Sequence, residues 1–162
     1  MSIQVYPSRR HALAYGSYSD STSQPLTAST VTYVKFNTVE AQQFVSVQND
    51  GSGFPTKIVV GTSGVFSFTV SPQLLHGGGG SAVVDFWAVV NGTAVPRSAS
   101  RVRLPNNTET LPFFEIIIPM TVGDAFQWAF YSTSSTVSIF ATAASPPIPS
   151  APSVIAGVKQ IE

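Results

Sequence analysis

The stretch "GVFSFTVS", Gly64 to Ser71, alternates without a break: Phe66, Phe68 and Val70 fall on one side, Ser67, Thr69 and Ser71 on the other. A period of two lays the apolar set on one face of an extended strand and the hydroxyls on the opposite face. The same period runs through most of the chain. "VTYVKFN" before it and "TVSIFATA" after it are β-branched and aromatic, and no window carries a helical stripe, because Gly, Pro and Ser/Thr interrupt each candidate within a few residues. The spacing predicts extended segments near 14–18, 30–36, 44–48, 57–60, 65–71, 82–90, 98–104, 113–120, 125–131, 136–142 and 153–161. Many short strands separated by turn residues, among them 12 prolines and 12 glycines, predict an all-β fold: a two-sheet antiparallel β-sandwich or jelly roll.

Turn chemistry sharpens the expectation. Asn91-Gly92 closes "AVVDFWAVV" as a hairpin signal, and Pro96 in the following "GTAVPRSAS" predicts an edge or a bulge. "SPPIPSAPS", Ser145 to Ser153, reads as an extended proline-rich connector between two apolar strands. Residues 1–12 show no clear pattern and carry Arg9 and Arg10. They are expected to form an N-terminal arm, with residues 13–162 making the sandwich.

Two segments are apolar on both faces. In "LPFFEIIIPM", Phe114, Ile116 and Ile118 lie on one side and Phe113 and Ile117 on the other; in "AVVDFWAVV" only Asp85 interrupts. Such strands are covered on both sides, either by a neighbouring subunit or by loops of the same chain. Charge favours the neighbour. Eight basic and eight acidic residues, 10% of the chain, give a formal net of zero, where a typical domain carries about 25% charged residues. Thin charge over much apolar surface promotes association, the alternative being an unusually Ser/Thr-rich monomer. Phe113, Phe114, Ile116 and Ile118 are the candidates for the core and for the contact with such a neighbour.

The same composition narrows the chemistry. Scattered basic residues give no footprint for nucleic acid or for an anionic membrane. With no cysteine and two histidines far apart, neither a disulfide framework nor a metal-ligand spacing is present, and no cofactor is expected. The stretch "LLHGGGGSAVVDFW" places His76 before four glycines, as in the oxyanion loops of some esterases. Those enzymes need a G-x-S-x-G elbow, and the nearest approach, "GTSG" at Gly61 to Gly64, is one residue short and joins strand to strand. The chain is therefore read as no enzyme, and the glycines as a long loop at one end of the sandwich. No apolar run of signal-peptide or membrane-span length occurs, which predicts a soluble, unprocessed chain. "NGT" at Asn91 and "NNT" at Asn106 match the glycosylation acceptor pattern but are read as turn residues.

Three segments carry a resemblance. "VGTSGVFSFTVSPQLL", "VVDFWAVVNGTAVPRSAS" and "FFEIIIPMTVGDAFQWAFYS" resemble the C1q/TNF-like jelly roll through Gly64 and Phe66, Trp87 with Asn91 and Gly92, Ser98, and Gly123 with Asp124. "YVKFN", "FVSVQNDGSGFPTKIVV" and the closing "PSVIAGVKQI" resemble the versions encoded by phages and large DNA viruses. The collagen stalk and the cysteines of many secreted members are missing, and no acidic cluster matches the calcium ligands of some. The resemblance implies a homotrimer, which would set Phe113, Phe114, Ile116 and Ile118 in the core and at its threefold axis, and a virion structural protein, a minor capsid, decoration or fibre-head subunit. Its partners would be other capsid or virion proteins, and its location the virion, assembled in the host cytoplasm. The alternative is a knob that binds a host surface receptor or glycan through loops, with His76, Gly77, Gly78, Arg97, Asn106 and Asn107 as contact candidates and the neighbouring 79–81 and 108–109 beside them.

Overall fold

In the computed structural model, which describes residues 12–162, the chain is built from antiparallel strands. The arm expected over residues 1–12 lies, apart from Ala12, outside the described residues. The strands are β1 (Tyr15–Asp20), β2 (Gln24–Pro25), β3 (Val31–Tyr33), β4 (Thr38–Gln43), β5 (Val45–Asn49), β6 (Pro55–Val60), β7 (Gly64–Pro72) and β8 (Leu74–His76). They continue with β9 (Ala82–Val90), β10 (Thr93–Ala94), β11 (Ser100–Leu104), β12 (Thr108–Thr110), β13 (Phe114–Met120), β14 (Ala125–Ser132), β15 (Val137–Ile139) and β16 (Val154–Gln160).

One sheet has the order β13-β7-β16-β1-β4. The facing sheet runs β10-β9-β14-β6-β5, with β11 also paired to β9 and β3 to β14. A shorter ladder, β12-β8-β15-β2, prolongs the first sheet. β12, β8 and β2 belong to the same runs of chain as β13, β7 and β1, while β15 takes over the column that β16 occupies below. The handover is built around Gln73, whose N–H donates to Ser153 O at 2.7 Å while its own carbonyl accepts from Phe140 N–H at 2.9 Å. Both backbone groups of Gln73 are thereby paired.

Inward alternation supplies the core. Phe66, Phe68 and Val70 of β7 meet Phe126, Trp128 and Phe130 of β14, and all six are buried. Phe68 stacks on Phe126 at 3.9 Å between centroids and 8° between planes, and Trp128 meets Phe126 edge-on at 5.1 Å. Phe86 of β9 stacks on Phe114 of β13 at 4.8 Å. The Phe68–Phe126 and Phe86–Phe114 contacts tie one sheet to the other, each aromatic burying on the order of 150–250 Å².

Buried polar groups make the second set of ties. Gln24 donates to Lys35 O at 3.0 Å and accepts from Lys35 N–H at 3.0 Å, so its amide stands in for a strand partner. Asp20 accepts from Thr22 N–H and Oγ1 and from Gln24 Nε2. Three buried side-chain atoms among the described residues have no partner: Tyr18 Oη, His76 Nε2 and Trp128 Nε1. Burial pushes the Tyr18 pKa up to about 12. The ring lies over Gly16, where any Cβ would collide with it.

Three expectations need correction. β4 was not foreseen, because "TVEAQQ" has little apolar alternation; it is an edge strand held by its backbone pairing to β1, with a bulge opposite Ser17 and Tyr18. A bulged, polar edge with Glu40 on it discourages further strand addition. The 136–142 segment keeps only Val137–Ile139 as strand. The proline-rich connector doubles back instead of running extended: Thr142 and Ala151 exchange two bonds of 2.9 Å, and Ser145 and Ile148 pair likewise.

Two aspartates lock turns by accepting backbone N–H groups. Burial works to raise the Asp50 carboxyl but is outweighed by the Phe54 and Ser52 N–H groups, the Thr56 hydroxyl and Lys57, which together hold it below the usual range. The Thr121 N–H, followed by the Asn91 amide, holds Asp124 low. Their stabilisation is present in full above the ordinary aspartate value and is lost as pH falls through the lower folded-state values. Asp124→Asn has no proton to take up there, so its thermal midpoint should fall less than wild type's between about pH 5 and about pH 2. Tyr18→Phe removes an unpartnered hydroxyl, and urea unfolding should show stability unchanged or raised by up to about 1 kcal/mol.

Candidate functional site

The outer face of the β13-β7-β16-β1-β4 sheet can be assembled row by row from its register. One row reads Glu115, Thr69, Gly157, Ser17, Ala41; the next reads Ile117, Ser67, Lys159, Tyr15, Gln43. The centre is therefore made of small side chains. At Gly157 a Cβ would come within 2.9 Å of Thr69 Oγ1, and a shallow hollow of about 170 Å³ opens here among Gly16, Ser67, Thr69, Gly157 and Lys159. Apolar side chains rim this flat middle: Phe113 is 65% exposed, Ile117 57%, Ile155 54% and Tyr15 46%. The Glu115 carboxylate accepts from Ser67 Oγ at 2.5 Å, which leaves Lys159 as the cation of the two rows.

This geometry divides the four residues chosen for the core and the threefold axis. Phe114, Ile116 and Ile118 point inward and pack, partly buried, against the core. Phe113 points outward. Ile117, on the same side as Phe113, and Ile155 and Tyr15, which the register brings to the same face, were not among the four. β13 is the free edge of its sheet, and Pro119 within it has no N–H to offer there. Prolines on an edge strand oppose ladder extension, so any partner meets this margin through side chains.

The loop candidates fall into two places. The β8–β12 end gathers Gly77, Gly78, Asn106 and Asn107: Gly77 N–H donates to Thr136 O at 2.9 Å, Thr136 Oγ1 donates to Gly78 O at 2.8 Å, and Asn106 Oδ1 lies 3.4 Å from where a Gly78 Cβ would sit. Gly78, Gly79 and Gly80 have φ of 138°, 91° and 98°, which only glycine adopts without strain. His76 does not belong to the loop surface. It ends β8 in register with both Thr108 and Val137, is fully buried, and has Nδ1 2.9 Å from Pro105 O. Its ring is thus closed off from any ligand at this end.

Arg97 lies elsewhere. With φ of 63° it follows β10 and, with Ser98, Ala99 and Ser100, walls a hollow of about 310 Å³ whose other side is Phe113 to Ile116 and Trp128. It belongs to the β13 margin and not to the end loops. A larger hollow, about 630 Å³, was not anticipated: Ser19, Ser21, Ser23, Thr38, Thr142, Ser150 and Glu40 line it, with Ser19 Oγ donating to Glu40 Oε1 at 2.8 Å. Its sequence signal is the serine alternation in "GSYSDSTS". On the second sheet, Asp85, the single break in an apolar strand, forms a two-pronged pair with Arg101 at 2.7 and 3.0 Å. Among the described residues no group of three or more His, Asp or Glu side chains is placed to hold a metal ion, and no helix is long and apolar enough to cross a membrane.

No protein-family profile matches the sequence, and no curated protein matches it. Solved structures do. The globular domain of a zebrafish complement 1qA protein superposes with a TM-score of 0.62 at 8% identity, covering 93% of this chain and 98% of that one. Murine APRIL superposes with TM-scores of 0.54 at pH 5.0 and 0.53 at pH 8.5, at 9% and 10% identity, covering 93% of this chain and all of the other. The architecture is a C1q/TNF-like jelly roll.

The division of β13 can be measured. Phe114→Ala removes the ring stacked on Phe86 and should cost about 2–3 kcal/mol in urea unfolding, whereas Phe113→Ala should stay within about 0.5 kcal/mol when the chain is unfolded from a single copy.

Proposed function

We propose that this chain is the subunit of a homotrimeric virion structural protein, a minor capsid, decoration or fibre-head component that works by burying apolar surface and presenting its end loops. The observation that carries the reading is the outer face of the five-stranded sheet, with a small-residue middle and exposed Phe113, Ile117, Ile155 and Tyr15 around it. The apolar margin and the flat middle are different parts of one sheet. A contact that sets the margin of one copy against the middle of the next is heterologous, and a threefold rotation closes it into a ring. Each large apolar side chain buried contributes on the order of 1.5–3 kcal/mol. With only 10% charged residues in the chain, little ion desolvation opposes that gain. The likeness of "YVKFN" and "PSVIAGVKQI" to phage and large-virus proteins supports the virion assignment.

The second reading, a receptor- or glycan-binding knob, is supported by the convergence of Gly77, Gly78, Asn106 and Asn107 at one end, away from the apolar face.

Light scattering should give wild type a mass three times the 17.1 kDa of one chain. The Phe113→Asp, Ile117→Asp double variant should keep its β circular dichroism and fall to a single copy. A wild-type chain that stays single at every concentration would sink the trimer. Co-sedimentation with capsids lacking the protein supports the structural role, and binding on a glycan array without co-sedimentation supports the knob.

A further inference from the structure

We propose that Asn91 is a spontaneous deamidation site that the folded chain holds in check through Asp124, and that conversion there bars the hairpin from closing again. Asn91 and Gly92 are the two central residues of the β9–β10 hairpin, both with positive φ, 50° and 79°. This left-handed pair is the turn that Asn-Gly favours. The same dipeptide is chemically labile, because glycine puts no side chain in the way of its own backbone nitrogen. At Gly92 a Cβ would meet nothing within 4 Å, so the turn stands open to water.

In the reaction the Gly92 nitrogen attacks Asn91 Cγ. A C–N bond forms, the Nδ2 group leaves as ammonia with the Gly92 proton, and a cyclic imide remains. Water then opens the ring. Breaking the new bond at Cγ gives aspartate, and breaking the original peptide bond gives isoaspartate, with one more carbon in the main chain. No oxidant or reductant is needed.

The fold restrains the first step by engaging both ends of the Asn91 amide. Nδ2 donates to Asp124 Oδ1 at 2.7 Å, and Oδ1 accepts from Ala125 N–H at 2.9 Å. Asp124 is itself fixed, its Oδ2 accepting from Thr121 N–H at 2.7 Å, and Asn91 N–H donates to Ala125 O at 2.9 Å. Cγ cannot turn onto the Gly92 nitrogen until the amide breaks away from the start of β14. Hydrogen bonds to a charged acceptor are the stronger kind, so this opening is infrequent. After conversion, a carboxylate at position 91 faces Asp124 across the former 2.7 Å bond, and two like charges replace a donor and an acceptor.

The full chain is incubated at mildly alkaline pH, and the peptide containing Asn91 is followed by mass spectrometry for the amide-to-acid mass gain. Wild type should convert roughly tenfold or more slowly than the same chain unfolded in urea, and Asp124→Ala should recover most of that difference while folded by circular dichroism. Equal rates in wild type and Asp124→Ala, both fast or both slow, would overturn the restraint. Should Asp124→Ala not fold, Asp124→Asn, which keeps an acceptor but not its charge, should convert a few-fold faster than wild type, and equality with wild type again overturns the restraint. For the second half, Asn91→Asp should lower the thermal midpoint at neutral pH and lose that penalty in acid, where the pair takes up a proton. A midpoint difference that does not change with pH would refute it.

Discussion

The structure depends on aromatic rings that belong to different sheets and touch in the middle. Phe68 against Phe126 and Phe114 against Phe86 each join a strand of the β13-β7-β16-β1-β4 sheet to a strand of its counterpart. Because each ring sits at an alternate position of its strand, the contact also fixes register: a slip by one residue would turn Phe66, Phe68 and Val70 outward and bring Ser67 and Thr69 into the core. The hydroxyl face of β7 follows from the same constraint. With bulk committed to the inside, the outside of this strand is left with small polar groups, and these make the flat middle of the candidate association face.

The polar interior has a different task. Gln73, Asp20, Gln24 and Ser153 sit where one column of the sheet passes from β15 to β16, a place where ordinary ladder pairing has to stop. The Gln73 amide donates to Pro152 O and the Asp20 carboxylate accepts from Thr22 N–H, while the Gln24 amide pairs with both backbone groups of Lys35. The 140–153 excursion can therefore leave and re-enter the sheet without costing the core its hydrogen bonds.

Most of the fold was legible because alternation is a local property. β7, β9, β13 and β14 each announce their inner face, and Asn91-Gly92 announces its turn. β4 was not legible, since a strand held by backbone pairing at an edge needs no apolar pattern. The doubling back of the proline-rich stretch was hidden as well, because prolines advertise extension while the closing bonds come from Thr142, Ser145, Ile148 and Ala151 between them. The candidate face was half visible. The two-sided pattern of β13 is plain in the sequence, but whether Phe113 or Phe114 looks outward depends on which set meets Phe86. Ile155 and Tyr15 join the face only through cross-strand register, which no local pattern contains. His76 misleads for a related reason: a histidine next to four glycines reads as loop, yet it is the last paired residue before the loop begins.

The glycine run has a consequence of its own. At Gly79 and Gly80 nothing lies within 4 Å of where a side chain would begin, and the tether to Thr136 stops at Gly78. Foreign sequence spliced between Gly79 and Gly80 would hang from the tip of the sandwich without asking either sheet to make room, which makes this end a natural port for display.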